Sequence, residues 1–244
     1  MFGIALILGK TGIGIYLLRL SLFSGNFMTN KLATLLLGLI VLIACSSHTA
    51  TTDSKYFEGK LTFKNTYIIK TDKVDSTYLD KIFGKTAETF FKEGNYFEKY
   101  DGGFMLWQLY NRYENKTYTN QNQIDTLHWF SCKQPGQKIL NTEINPKKEK
   151  ILGIDCDELV IHYTNKTVYY YFNSDTLKIN ADWYKDFSYL NKNSNTQKMK
   201  SIYLQYKLEY PDFIATVTAT SISWQIIDDK IFSAPTDKVL IEDK

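Results

Sequence analysis

From Tyr56 onward the chain is a succession of short segments dense in aromatic and β-branched residues, each ended by residues that turn the backbone. Segments of this length and composition form strands rather than helices. Strands are expected over 56–69, 86–92, 95–100, 104–112, 116–120, 126–132, 138–144, 157–163, 167–172, 201–210 and 214–227. Between them, Gly94-Asn95, Asp101-Gly102-Gly103, Asn115-Lys116 and Asn165-Lys166 supply residues that tolerate positive φ. Consecutive strands should therefore fold back as hairpins into an antiparallel meander.

Helical signals are few. Residues 75–83 carry Asp75 or Ser76 as N-cap and Gly84 as terminator, with Tyr78/Ile82 and Leu79/Phe83 at four-residue spacing on one expected apolar face. A second short helix is expected over 181–187. The fold class is thus mainly β (α+β): one large curved antiparallel sheet of about ten strands whose concave face the short helices cover. No repeat or long linker divides residues 56–244, which are expected to form one domain with a sizeable core.

The segment before this domain has another character. Lys31 precedes thirteen largely apolar residues, Leu32 to Ala44, and Leu42-Ile43-Ala44-Cys45 closes the run with a small residue before a cysteine. A membrane span needs about twenty apolar residues, so this length fits the h-region of a bacterial lipoprotein signal. Residues 28–44 are read as that signal, Cys45 as the lipidation site, and 45–55 as a polar tether. Met28 starts such a signal better than Met1, so 1–27 are read as an upstream extension outside the natural protein. Gly9-Lys10-Thr11 imitates the end of a phosphate loop, but the first glycine of that motif would have to stand at Ile4. Residues 1–44 hold Lys10, Arg19 and Lys31 and no acid, so 29 basic residues become 26 after cleavage, matching 26 acidic ones. A neutral mature chain implies no nucleic-acid partner; the expected partner is a membrane, through the lipid.

With Cys45 lipidated, Cys132 and Cys156 are left as a pair outside the reducing cytoplasm, and a disulfide between neighbouring β elements is expected. A zinc site drawing on His128, Cys132, Cys156 and His162 fails on spacing, because four strand residues separate the first two by about 13 Å. The chain holds no Gly-x-Ser-x-Gly elbow, no His-Glu-x-x-His and no glycine-rich nucleotide turn, so no catalytic residue, metal or cofactor is assigned.

Tyr169-Tyr170-Tyr171-Phe172 would place rings on both sides of one strand. Either that strand is buried on both faces, or one aromatic side lines an apolar cavity with rings from other strands. On the second reading the candidate ligand contacts are Trp107, Tyr110, Trp129, Tyr169 and Tyr171.

Tyr56-Phe57-Glu58-Gly59-Lys60, Ile151 to Leu159, Tyr170-Tyr171-Phe172-Asn173 and Asp229 to Pro235 resemble an uncharacterised group of Gram-negative envelope lipoproteins related to the lipoprotein-localisation carriers. The resemblance covers most of 56–236 and implies a half-barrel wrapped over short helices around an apolar concavity. It carries over no binding residue. The expected function is that of a non-catalytic, lipid-anchored binding or carrier-like module for an apolar or acyl ligand, on the periplasmic side of the outer membrane. The competing expectation is an interaction lipoprotein with a filled core.

Overall fold

The computed structural model describes residues 55–122 and 124–243. The leader segments 1–27 and 28–44, Cys45 and nearly all of the tether lie outside these residues.

Two meanders share one sheet. The first comprises β1 (Gly59–Ile69), β2 (Thr86–Lys92), β3 (Asn95–Tyr100), β4 (Met105–Asn111), β5 (Lys116–Gln121) and β6 (Thr126–Ser131). The second comprises β7 (Asn141–Ile151), β8 (Ile154–His162), β9 (Thr167–Phe172), β10 (Tyr203–Glu209) and β11 (Phe213–Trp224), with β12 (Val239–Glu242) closing the chain. Among the described residues they form one twelve-stranded sheet in the order β12-β6-β5-β4-β3-β2-β1-β11-β10-β9-β8-β7. Its pairs are antiparallel except β12 with β6. The mainly β, open-sheet class expected from the sequence is the class observed.

Chain length dictates the curvature. Ser131, ending β6, and Asn141, opening β7, stand ten strand positions apart. A flat sheet would separate them by roughly 48 Å, whereas ten peptide steps reach only about 35 Å fully extended. The sheet has to curl, and one face becomes its inside.

What fills that inside is an insertion, 173–202, between the adjacent strands β9 and β10. It contains 3₁₀ turns at Ala181–Tyr184 and Tyr189–Asn191 and a helix, α2 (Lys192–Met199); the earlier helix, α1, is Ser76–Phe83. Leu177, Ile179, Tyr184 and Phe187 of the insertion pack with Leu61, Phe63, Phe91, Tyr110 and Val217 of the sheet. Asn115 Nδ2 donates to the Asp186 carbonyl at 2.7 Å, and the amides of Ser188 and Tyr189 donate to the Cys132 carbonyl at 2.9 and 3.0 Å. These bonds pin the insertion to the first meander.

α1 is capped as expected: Asp75 Oδ1 accepts from the Thr77 amide at 2.9 Å, and Gly84, at φ 73°, closes the helix. Its expected four-residue apolar face does not form. Leu79 is buried, but Tyr78 is 61% exposed and Phe83 40%, because α1 packs against β1 and the insertion takes the place on the sheet that a longer helix would fill.

Cys132 and Cys156 are both buried and unbonded. In the strand order Cys132 follows β6 near one end and Cys156 lies on β8 near the other, and both belong to one core cluster. Thr117 Oγ1 lies 3.1 Å from Cys132 Sγ. Burial pushes both thiols up to about 11, which keeps them protonated and inert at neutral pH.

Candidate functional site

Strand alternation decides which side chains reach the inner face. In β2 and β3, Thr89 stands opposite Glu98 and Phe91 opposite Tyr96; in β3 and β4, Glu98 stands opposite Gln108. From the second meander, Val217, Tyr206 and Tyr170 form a row across β11, β10 and β9. Between these rows and the insertion lies a cavity of about 250 Å³. Tyr96, Tyr100, Tyr170, Tyr184, Tyr203 and Tyr206 supply much of its wall.

Two charged side chains border it. Glu98 comes from β3, where Tyr100 Oη donates to its Oε2 at 2.8 Å. Thr89, 3% exposed and opposite Glu98 in register, has its hydroxyl beside that carboxyl without a completed hydrogen bond. Burial raises the Glu98 carboxyl above its ordinary range, although Tyr100, Thr89 and Lys192 each draw it back. Lys192 is the first residue of α2. Its Nζ lies 5.3 Å from the Tyr184 ring centre and 5.8 Å from that of Tyr203, and among the described residues no carboxylate comes within ion-pair distance of it. Burial lowers it to about 8, against the attraction of Glu98. The cavity therefore holds a carboxyl and an ammonium that face the same space without touching.

The lid backbone that presents Lys192 is strained. Leu190 and Asn191 both sit at positive φ, 53° and 56°, a conformation costing about 1–2 kcal/mol for an ordinary L residue. Asn191 Nδ2 holds the turn by donating to the Gln137 carbonyl at 2.7 Å and to Tyr163 Oη at 3.3 Å.

Of the five candidate contacts read from sequence, Tyr110 reaches the inner face, stacked on Tyr96 at 5.4 Å and on Tyr184 at 5.9 Å, behind the cavity wall. Trp107 and Trp129 point outward and pack with Leu109, Tyr118 and Leu127 beneath Ile227 and Phe232. Tyr169 and Tyr171 also alternate away from the cavity: Tyr169 Oη donates to Glu209 Oε2 at 3.1 Å, and Tyr171 is buried beside Glu158. Tyr170, between them, lines the cavity. The aromatic strand was visible in the sequence, and the parity that faces inward was not. Glu98 and Lys192 were missed altogether, although Glu98 shares its strand face with Tyr96 and Tyr100, an acid on an aromatic stripe.

A second cleft, of about 460 Å³, lies between α1 and Phe104 and brings together Tyr78, Lys81, Ile82 and Asn122 without a buried charged pair. Among the described residues no group of three or more His, Cys, Asp and Glu side chains is arranged around a common metal position, and no helix is long and apolar enough to cross a membrane.

No family model matches the chain, and no curated protein matches it. Among solved structures, one of PNGF-II is similar at 15% sequence identity and a TM-score of 0.42, covering 77% of this chain and 31% of that one. The chain thus spans about a third of the length of PNGF-II.

Proposed function

We propose that this protein is a lipid-anchored envelope module that binds a small, apolar-bodied ligand in the cavity between its sheet and its inserted lid. The anchor rests on the apolar run ending at Cys45, and the carrier-like class on the sequence resemblance to envelope lipoproteins. One observation carries the binding reading: a cavity of about 250 Å³ left open on the inner face. Pockets for drug-sized ligands run to about 300–1,000 Å³, so this one suits a small metabolite rather than a whole long acyl chain. A filled core, the competing reading, would close a void of this size, because unfilled apolar space destabilises a core.

Thermal melts of the full chain in detergent test the proposal, with p-cresol and hexadecanoate as probes. The expected result is a midpoint raised by p-cresol and unmoved by hexadecanoate, with the p-cresol effect lost when Leu208→Trp fills the cavity. Protein that responds to neither probe would overturn it.

A further inference from the structure

We infer that the ligand is a small zwitterion with an apolar side chain, of the class of a free aromatic or branched α-amino acid, its ammonium received by Glu98 and its carboxylate by Lys192. This rests on the binding reading above and specifies it. Glu98 and Lys192 come from different elements, β3 and α2, and border one cavity. Among the described residues neither makes an ion pair. Both side chains are half-buried, a partly desolvated ion without its complement is penalised, and a ligand bearing both charges completes both groups at once. A simple anion would meet the Glu98 carboxyl, and a simple cation would meet the Lys192 ammonium. One neighbouring feature fits the same ligand: Thr89 offers a hydroxyl with no completed hydrogen bond beside Glu98. The ring faces of Tyr184 and Tyr203, which lie beside the Lys192 ammonium, give it weak compensation. The remaining tyrosine and aliphatic walls take the apolar side chain.

Calorimetric titration of the full chain in detergent separates the parts of this inference. The probes are L-phenylalanine, L-leucine, 3-phenyllactate, in which a hydroxyl replaces the ammonium, phenylalaninamide, in which an amide replaces the carboxylate, and p-cresol. At least one of the two amino acids should bind. For phenylalanine both analogues should be weaker by about tenfold or more, the effect of losing a hydrogen bond to a buried charge. Glu98→Gln should erase the preference over phenyllactate and keep that over the amide, and Lys192→Met should do the reverse. Each variant's melting transition verifies that it is folded. Phenyllactate or the amide binding as well as phenylalanine, or a preference that survives in its matching variant, would overturn the zwitterion. Binding of p-cresol with neither amino acid would defeat this inference and leave the binding module standing, whereas no binding of any probe would defeat both.

Discussion

Glu98 and Lys192 are held at an energetic cost, and pH exposes it. Lysine ordinarily titrates near 10.4, and Lys192 is lowered to about 8. Its contribution to stability is therefore fully present above the ordinary value and is lost as pH falls through about 8. Glu98 is raised, so its contribution is present below the ordinary carboxyl range and lost as pH rises through its folded value. At pH 7 both groups weigh against folding. Lys192→Met should raise the melting midpoint at pH 7 by a few degrees, and its advantage over the parent should shrink as pH climbs from 7 to 9.5; circular dichroism melts across that range check this. Glu98→Gln should likewise be stabilising at pH 7, the expected trade when a binding group is removed. Two glycines give a contrast that needs no ligand. Gly94 sits at φ 83°, and a Cβ there would stand 2.6 Å from Trp183 Cβ, whereas Gly153, at φ 80°, has nothing within 4 Å of such a Cβ. Gly153→Ala should cost about 1–2 kcal/mol of backbone strain alone, and Gly94→Ala more, read as the difference between their urea midpoints. The Gly94-Asn95 turn is legible in sequence; the collision with Trp183 depends on a lid that sequence does not place.

The lid is an insertion between two hydrogen-bonded strands, and its hold on the sheet is local. Asn191→Ala removes the side chain that bonds the Gln137 carbonyl and a residue type that tolerates positive φ. It should cost about 1–3 kcal/mol. Hydrogen exchange should quicken over 181–199 while β1 and β11 keep their protection. The strands themselves were largely readable: β2, β3 and β9 fall on their expected residues, because alternation and turn residues act locally. β7 runs on to Ile151, past the expected end at Ile144, since Asn145-Pro146-Lys147-Lys148 looks like a loop. There the ladder skips from Asn145 to Glu149, with Lys147 at φ 49°. A proline, a bulge and a row of lysines are what an unpaired outer strand carries to refuse further pairing. α2 escaped notice because Lys192–Met199 has no apolar stripe; it is placed by tertiary contacts, with Asn195, Thr196 and Met199 buried. β12 escaped because four exposed residues gain strand form only from β6.

At the scale of the whole molecule, each meander pairs strands consecutive in the chain, and β1 with β11 is the seam that makes them one sheet. Gly59 pairs with Trp224 and Ile69 with Phe213, a ladder that runs the full length of β1. Phe63 is buried at that seam against Tyr203, and the register shifts beside it, between Thr62 and Phe63. Phe63→Ala should cost about 3–5 kcal/mol, lowering the urea midpoint without local fraying, since both halves of the core touch it. The seam also sets a timetable. Apart from β1–β2 and β9–β10, whose connections hold α1 and the insertion, each hairpin can close from residues about ten or fewer positions apart, but β1 must leave one edge unsatisfied until β11 is available to meet it. Loop closure over such a separation is entropically dear, and folding slows as the mean distance between contacting residues grows. Refolding should therefore be dominated by seam formation, and a chain cut short before β11 should expose a long open edge and aggregate rather than persist as a half-sheet.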